Sequence, residues 1–170
     1  MGGDIGVDST YGSGSTFWFT VSFDRQRGQE RMRRLPAVDL RGLRALIVDD
    51  NETARTIFSE AMKSMNFEVT AVVSGEAALA ELHRAHDAAA PYDLALLDYM
   101  MPGMDGLETA RRLRSSFDKS DRPDIILVTA HDQEEVREAA KSAGIGGFLS
   151  KPVNQSRLFD MIMALRHKGD

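Results

Sequence analysis

Residues 94–106 have the sequence Leu94-Ala-Leu-Leu-Asp98-Tyr-Met-Met-Pro102-Gly-Met-Asp-Gly106, and this stretch decides the fold of the chain. The four apolar residues that open it predict a short strand buried on both faces of a sheet. The proline and the two glycines then end the strand and begin a loop. Asp98 is therefore predicted at the carboxyl end of a central strand, where open α/β sheets place their ligand crevices. Its carboxylate is a candidate helix cap, metal ligand or nucleophile.

The composition of the chain limits its class and its partners. Of 170 residues, 42% are hydrophobic and 28% are charged, as in a globular soluble protein. The sequence has no apolar run that could span a bilayer and no signal peptide, so no membrane contact is expected of this fragment. It has no cysteine, which excludes disulfides and thiolate metal sites and fits a reducing cytosol. The formal net charge of -5 argues against nucleic acid as a main partner.

From Leu43 onward, strand-like and helix-like segments alternate five times. The strands are predicted at residues 45–48, 66–73, 94–97, 124–128 and 147–149. A helix is predicted after each strand, the first of them capped by Asn51. This alternation predicts an α/β fold, a five-stranded parallel sheet with five helices on its two faces. Because crossovers are right-handed, the predicted strand order is 2-1-3-4-5, the commonest flavodoxin-like order at this length.

Polar side chains follow four of the predicted strands, and in that order they converge at one edge of the sheet. They are Asp49, Asp50, Asp98, Thr129 and Lys151. Three clustered carboxylates repel one another, so the site requires positive charge. Oxygen ligands without histidine or cysteine suit Mg²⁺, and Lys151 adds a fixed ammonium. With Thr129 as a hydrogen-bond donor, the set predicts a carboxylate nucleophile, Asp98, whose phosphoryl group is stabilised electrostatically.

Residues 43–167 resemble a response-regulator receiver domain. The resemblance rests on four features in the family's order and spacing. They are the acidic pair Asp49-Asp50, the motif around Asp98, the hydroxyl of Thr129 in Val-Thr129-Ala130, and the pair Lys151-Pro152. It implies that Asp98 accepts a phosphoryl group from a phosphohistidine. The implied partner is therefore a histidine kinase or a histidine phosphotransfer domain.

The resemblance also implies a role for each residue near the acceptor. Mg²⁺ would be bound by Asp50, Asp98 and the main-chain carbonyl of Met100, with Asp49 acting largely through water. Met100 also matches one of two positions that tune hydrolysis of the acyl phosphate, and His131 matches the other. Neither side chain is a carboxylate or amide suited to orienting water, so slow to moderate self-dephosphorylation is predicted.

Phe148 matches the switch aromatic of the family, which turns inward when the hydroxyl residue, here Thr129, moves toward the phosphoryl group. The alternative for Phe148 is an ordinary core side chain. The fourth helix and fifth strand of the predicted domain, near Phe148, form the expected partner surface. His83 and His86 lack a third metal ligand and are predicted to be surface residues.

Residues 1–23 place aromatic and β-branched residues on both sides of a Gly/Ser turn, which predicts a β-hairpin. Gly12 and Gly14 lack the third glycine of a dinucleotide site, and no P-loop follows them. The segment resembles the closing hairpin of the ATP-binding domain of sensor histidine kinases. It has none of that family's upstream asparagine and glycine boxes, so the fragment is not expected to bind ATP or to be a kinase alone. Its open edges are expected to fray or to pair with a second copy in a homodimer.

The predicted organisation is a truncated kinase hairpin at 1–23, a linker at 24–42 and a receiver at 43–170. The linker is basic, because residues 24–44 hold seven arginines against three acidic residues, a local charge of +4. This order resembles the C-terminal part of a hybrid sensor histidine kinase. It implies a cytoplasmic location, with any membrane anchor elsewhere in the parent chain, and no DNA-binding output domain is expected here.

Two alternatives to the phosphoacceptor remain. One is a pseudo-receiver, a module that regulates its kinase without being phosphorylated. The other is a Mg²⁺-dependent phosphatase of the haloacid dehalogenase type, but that chemistry requires a second Asp two residues after the nucleophile, where this chain has Met100. Whether Asp98 accepts phosphate distinguishes the pseudo-receiver from the phosphoacceptor.

Overall fold

The structure, a computed structural model, describes residues 3–12, 14–21, 40–130 and 134–166. The chain divides into two compact units, Met1–Ala37 and Val38–Asp170. The predicted hairpin lies in the first unit and the predicted receiver in the second. Most of the predicted linker lies outside the described residues, so its boundaries stay predictions.

The first unit contains the predicted hairpin. Strands β1 (Ile5–Thr10) and β2 (Gly14–Phe19) pair antiparallel, with Gly6 opposite Trp18. On one face the ring of Trp18 covers Gly6 so closely that a Cβ there would lie 2.3 Å from a ring carbon. Cross-strand pairing places four apolar side chains on the other face, each more than half exposed: Ile5, Val7, Phe17 and Phe19.

The second unit alternates strands and helices as predicted. Its elements are β3 (Arg44–Val48), α1 (Glu52–Ser64), β4 (Glu68–Val72), α2 (Gly75–Asp87), β5 (Leu94–Asp98), α3 (Gly106–Ser116), β6 (Asp124–Thr129), α4 (Glu134–Ser142), β7 (Gly147–Ser150) and α5 (Gln155–Arg166). The five strands form one parallel sheet in the order β4-β3-β5-β6-β7. This is the predicted order 2-1-3-4-5, and the predicted fold class is confirmed.

The core has two layers because the sheet is buried on both faces. Alternate residues of β3 and β5 point to opposite faces, so that Leu46 and Leu97 pack with α2, α3 and α4. Ile47 and Leu96 pack with α1 and α5 on the other face. Burying each such side chain contributes roughly 1.5–3 kcal/mol. These two layers fix β5, and with it Asp98, at the centre of the sheet.

Side-chain caps fix where three helices begin. Asn51 Oδ1 accepts a hydrogen bond from the Ala54 N–H at 3.0 Å, which confirms the predicted cap of α1. Ser74 caps α2 in the same way, and Asp105 caps α3. Each such cap contributes about 1 kcal/mol. Among the described residues, no helix combines the length and the apolar character needed to cross a membrane.

Two local features differ from the sequence-based expectation. The second strand of the sheet begins at Glu68 and not at Asn66, because Asn66 takes the left-handed conformation (φ 67°) that ends a helix. Its N–H donates to the Lys63 carbonyl at 2.9 Å, so Asn66 belongs to the turn after α1. A short 3₁₀ turn at Lys119–Asp121, which precedes β6, was not predicted.

Candidate functional site

The predicted site residues lie at the carboxyl edge of the sheet. Asp98 ends β5, and Asp49 and Asp50 follow β3, its neighbour. One carboxylate oxygen from each of the three lies within 4.8 Å of the others. We call this group the acidic cluster (Asp49, Asp50 and Asp98). Asp49 and Asp98 are buried, whereas Asp50 is exposed, so the acidic cluster opens to solvent on one side.

Lys151 brings a positive charge to the acidic cluster. Its Nζ lies 2.7 Å from Asp98 Oδ1 and 3.1 Å from Asp49 Oδ2. Its main-chain N–H donates to the carbonyl of Thr129 at 2.7 Å, which ties the end of β7 to the end of β6. The peptide bond between Lys151 and Pro152 is cis. The structure therefore brings Lys151 and two of the three predicted carboxylates into direct contact.

At Asp98 and Lys151, burial and the contact between the two side chains shift each pKa in opposite directions. Burial raises the pKa of Asp98 above its ordinary range, and Asp49 and Asp50 raise it further, while Lys151 acts to lower it. For Lys151, burial acts to lower the pKa, but its hydrogen bonds to Asp98 and Asp49 outweigh burial and the pKa is raised. Lys151 is thus charged at neutral pH. One ammonium against three carboxylates leaves two negative charges at the site when all are ionised.

That charge and the donor set fit a hard divalent cation. The acidic cluster offers carboxylate oxygens only, which Mg²⁺ prefers over nitrogen or sulfur ligands. Asp49 is committed to protein contacts, since Oδ1 accepts from the Asn51 N–H at 2.8 Å and Oδ2 faces Lys151. Asp98 and the exposed Asp50 are therefore the carboxylates better placed for direct contact with an ion.

The loop after β5 contains Met100, and the structure explains its shape. Gly106 packs against Asp98 so closely that a Cβ would lie 2.2 Å from the Asp98 carbonyl oxygen, which excludes any larger residue. The Gly106 N–H donates to the Tyr99 carbonyl at 3.0 Å. Met100 itself is 63% exposed and lines a hollow shared with Asp50. Its thioether is therefore accessible beside the acidic cluster.

The predicted switch residues lie on the two adjoining strands. Thr129 is buried at the end of β6, where it pairs with Ser150 in β7. Phe148, two residues earlier in β7, is half-buried, and the guanidinium of Arg137 lies 4.9 Å from its ring centroid. Phe148 is thus not a fully enclosed core residue. His131, the second predicted tuning position, lies outside the described residues.

The two histidines predicted to be surface residues lie on α2. His83 and His86 are both exposed, as predicted for surface residues. Their rings contact the Phe117 ring at tilted angles, with centroid distances of 4.7 and 5.6 Å. His86 Nε2 also lies 3.5 Å from an Asp121 carboxylate oxygen.

Arg55 in α1 was not identified from the sequence. Its Nη1 donates to the main-chain carbonyls of Asp49 (2.8 Å) and Asp50 (3.0 Å). One signal was available, because a basic residue near the start of a helix meets the positive end of the helix dipole and is disfavoured there without a specific partner.

The fold and this edge define a class: a doubly wound α/β domain with an acidic cluster and a lysine at the carboxyl ends of its strands. The model of the response regulator receiver domain family matches residues 45–163. Since this match covers well over half of the chain, the chain belongs to the response-regulator receiver family.

Relatives of known function include two bacterial proteins. The cyclic di-GMP phosphodiesterase response regulator RpfG of Xanthomonas campestris is 43% identical over 117 residues, which cover 69% of this chain and 30% of that protein. The aerobic respiration control sensor protein ArcB of Escherichia coli is 32% identical over 169 residues, 95% of this chain and 20% of that protein. The chain thus spans a third or less of the length of these relatives.

Solved structures agree with the assignment. The receiver domain of the histidine kinase CKI1 from Arabidopsis thaliana, complexed with Mg²⁺ and BeF₃⁻, superposes with a TM-score of 0.66 and 33% identity. The match covers 75% of this chain and 92% of that one. The chemotaxis protein CheY4 of Vibrio cholerae gives a TM-score of 0.66 with 27% identity, over 73% of this chain and 98% of that one.

Proposed function

We propose that this chain is a phosphoacceptor of a two-component phosphorelay, in which Asp98 takes a phosphoryl group from a phosphohistidine with the help of Mg²⁺. One observation carries the proposal: the buried Asp98 carboxylate contacts Lys151 at 2.7 Å and lies within 4.8 Å of two further carboxylates. An aspartate with a purely structural role at a strand end does not require a lysine and two further carboxylates beside it. Membership of the receiver family supports the same role.

The residues that would hold the ion follow from their exposure and contacts. Asp50 and Asp98 would bind Mg²⁺ directly, together with the main-chain carbonyl of Met100, and Asp49 would act through water. Asp49 suits the indirect role because both of its carboxylate oxygens already have partners in the protein. When bound, the ion would neutralise charge on the phosphoryl oxygens.

The transfer itself needs little covalent chemistry from the protein. An Asp98 carboxylate oxygen attacks phosphorus, the new O–P bond forms as the N–P bond of the phosphohistidine breaks, and the electron pair returns to the imidazole nitrogen. The Lys151 ammonium is close enough to exchange its contact with Asp98 for one with a phosphoryl oxygen. The Thr129 hydroxyl would donate to another oxygen, and these contacts stabilise charge where it develops.

The consequence of phosphorylation would be a change at the partner face, which consists of α4 and β7. Movement of Thr129 toward the phosphoryl group would leave space beside β7, and Phe148 would turn inward to fill it. Phe148 is half-buried and contacts the Arg137 guanidinium, so its ring is not fully enclosed by the core. The partner would be a histidine kinase or a histidine phosphotransfer domain.

We further propose that the parent chain is a hybrid sensor histidine kinase, with 1–23 the end of its ATP-binding domain and 43–170 its receiver. The alignment with ArcB supports this organisation because it covers 95% of the chain and so extends beyond the receiver. The hairpin supports it too, since its exposed apolar face is typical of a sheet that packs against the rest of a domain.

The test is intact-mass spectrometry after brief incubation with Mg²⁺ and acetyl phosphate. We expect the wild-type chain to gain one phosphoryl group and Asp98→Asn to gain none. Asp124→Asn, an exposed aspartate at the opposite end of the neighbouring strand, is the matched control and should gain one. Chelation of Mg²⁺ should abolish the gain in the wild type and in Asp124→Asn.

Failure with acetyl phosphate would be followed by a phosphorylated histidine kinase as donor. If the wild type stayed unmodified with both donors, the phosphoacceptor role would be rejected in favour of a phosphorylation-independent regulatory module. Modification of Asp98→Asn to the same level as wild type would place the acceptor elsewhere.

A further inference from the structure

The main chain of Asp49 and Asp50 is held by a side chain of α1, Arg55. Arg55 Nη1 donates hydrogen bonds to the main-chain carbonyls of both Asp49 and Asp50, at 2.8 and 3.0 Å. These are the two residues between the end of β3 and the start of α1 that contribute carboxylates to the acidic cluster. A single guanidinium nitrogen therefore spans the backbone of both.

The same loop is fixed from its other side. The Asn51 N–H donates to Asp49 Oδ1, and Asn51 Oδ1 accepts from the Ala54 N–H to cap α1. With the Arg55 contacts added, the main chain from 49 to 51 is tied at each residue. Such constraint is typical of a binding loop whose coordinating side chains must be in position before the ion binds.

The position of Arg55 carries an electrostatic cost. It lies in the first turns of α1, where the positive end of the helix dipole disfavours a cation. Its charge also lies beside a site that would attract a divalent cation, which it would repel. A neutral residue would avoid both penalties. We therefore attribute the presence of an arginine at position 55 to its two carbonyl contacts.

We propose that Arg55 is a positioning residue, which holds the backbone of Asp49 and Asp50 so that their carboxylates are preorganised for a divalent cation. The inference rests on the proposed function, since it assigns Mg²⁺ as the ion. It predicts that losing the carbonyl contacts weakens ion binding even though a repelling charge is removed. If Arg55 acted only as a charge, its removal would strengthen ion binding.

The opposite signs allow a direct test by calorimetric titration of the whole chain with Mg²⁺ alone. For Arg55→Met we expect the dissociation constant to rise about three- to tenfold. Arg55→Lys restores the charge and a donor, and is expected to recover part of the loss. Arg112→Met is the matched control, because Arg112 is exposed on α3 and pairs with Glu108, and its dissociation constant should not change.

A second readout uses no ion. Amide hydrogen exchange of residues 50–54 without Mg²⁺ should be faster in Arg55→Met than in the wild type. Exchange of the sheet residues should be unchanged. Tighter Mg²⁺ binding by Arg55→Met, or unaltered exchange in this loop, would overturn the proposal. If Arg55→Met did not fold, Arg55→Lys would decide by the same two measurements.

The two proposals can fail separately. A wild-type chain that binds no Mg²⁺ would contradict the proposed function, whereas the exchange measurement would still judge whether Arg55 holds the loop. A wild type that binds Mg²⁺ and accepts phosphate, with Arg55→Met indistinguishable from it in both readouts, would reject the role of Arg55 alone.

Discussion

Met100 lies two residues after Asp98, the proposed acceptor, and its side chain is exposed. Met100 lines the hollow next to Asp50, and its thioether is a weak hydrogen-bond acceptor that orients water poorly. The acyl phosphate on Asp98 should therefore persist, because hydrolysis requires an attacking water to be held and deprotonated. The exposed position of Met100 makes this property easy to change without disturbing the core.

Replacing Met100 with a polar residue tests that argument. We expect Met100→Gln to shorten the half-life of the phosphoryl group severalfold, well below the ~10²-fold effect of a true general base. Met100→Leu, which keeps the apolar character, should leave the half-life unchanged. The half-life is measured by mass spectrometry after the donor is removed. A wild-type half-life of seconds in Mg²⁺ would contradict the expectation.

Single residues also show where sequence reasoning reached its limit at the site. Asp49, Asp50, Asp98 and Lys151 could be predicted because the ends of parallel strands meet at one edge, whatever the loops do. The contacts of Arg55 could not, since they depend on a side-chain rotamer and on the path of the loop after β3. Residue type and spacing carry no information about either.

At the scale of elements, helix α2 is joined to the segment before β5 by a compact polar group. The Tyr92 hydroxyl donates to Glu81 Oε1 at 2.5 Å, and Arg84 binds both oxygens of the same carboxylate at 2.6 and 2.7 Å. Hydrogen bonds from Arg84, and then from Tyr92, lower the pKa of Glu81 to about 2 against the opposing effect of burial. This group holds α2 where Ala78 and Leu82 reach the core.

The lowered pKa predicts how stability depends on pH. Because the folded pKa lies below the ordinary value of 4.5, ionised Glu81 stabilises the fold above about pH 4.5, and this contribution is lost as the pH falls toward 2. We expect Glu81→Gln to lower the free energy of unfolding by about 1 kcal/mol at pH 7. The difference from wild type should shrink steadily below pH 4.5.

Urea denaturation at pH 7, 5 and 3.5 measures these free energies. Glu60→Gln, on the exposed side of α1, is the control, and it should match the wild type at each pH. A difference between Glu81→Gln and wild type that stays constant down to pH 3.5 would refute the linkage.

The elements themselves followed from periodicity because each buries a distinct face. Apolar runs of four or five residues match the buried strands β3 and β5, and the spacing of Phe58 and Met62 matches the buried stripe of α1. Where a boundary differed, a local conformation decided it. Asn66 ended α1 in the left-handed region, which removed two residues from the predicted strand.

At the scale of the whole molecule, the chain contains two units that differ in how they are stabilised. The second unit draws both layers of its core from residues 40–165. The described part of the first unit contains a two-stranded hairpin, and such hairpins are marginally stable in water by themselves. The four apolar side chains on one face of the hairpin, Ile5, Val7, Phe17 and Phe19, are each more than half exposed.

We therefore expect the fragment 38–170 to fold alone, with the thermal midpoint and Mg²⁺ affinity of the whole chain. The whole chain and the fragment should differ in self-association. The exposed apolar face and the open strand edges of the hairpin, which only the whole chain has, favour pairing with a second copy. Analytical ultracentrifugation should show concentration-dependent association of the whole chain and none of the fragment. The double variant Phe17→Ser, Phe19→Ser, which removes half of the apolar face and leaves chain length unchanged, should behave as the fragment does. A lower thermal midpoint for the fragment would show that residues 1–37 stabilise the receiver, and equal association of all three would trace the interface to the receiver itself.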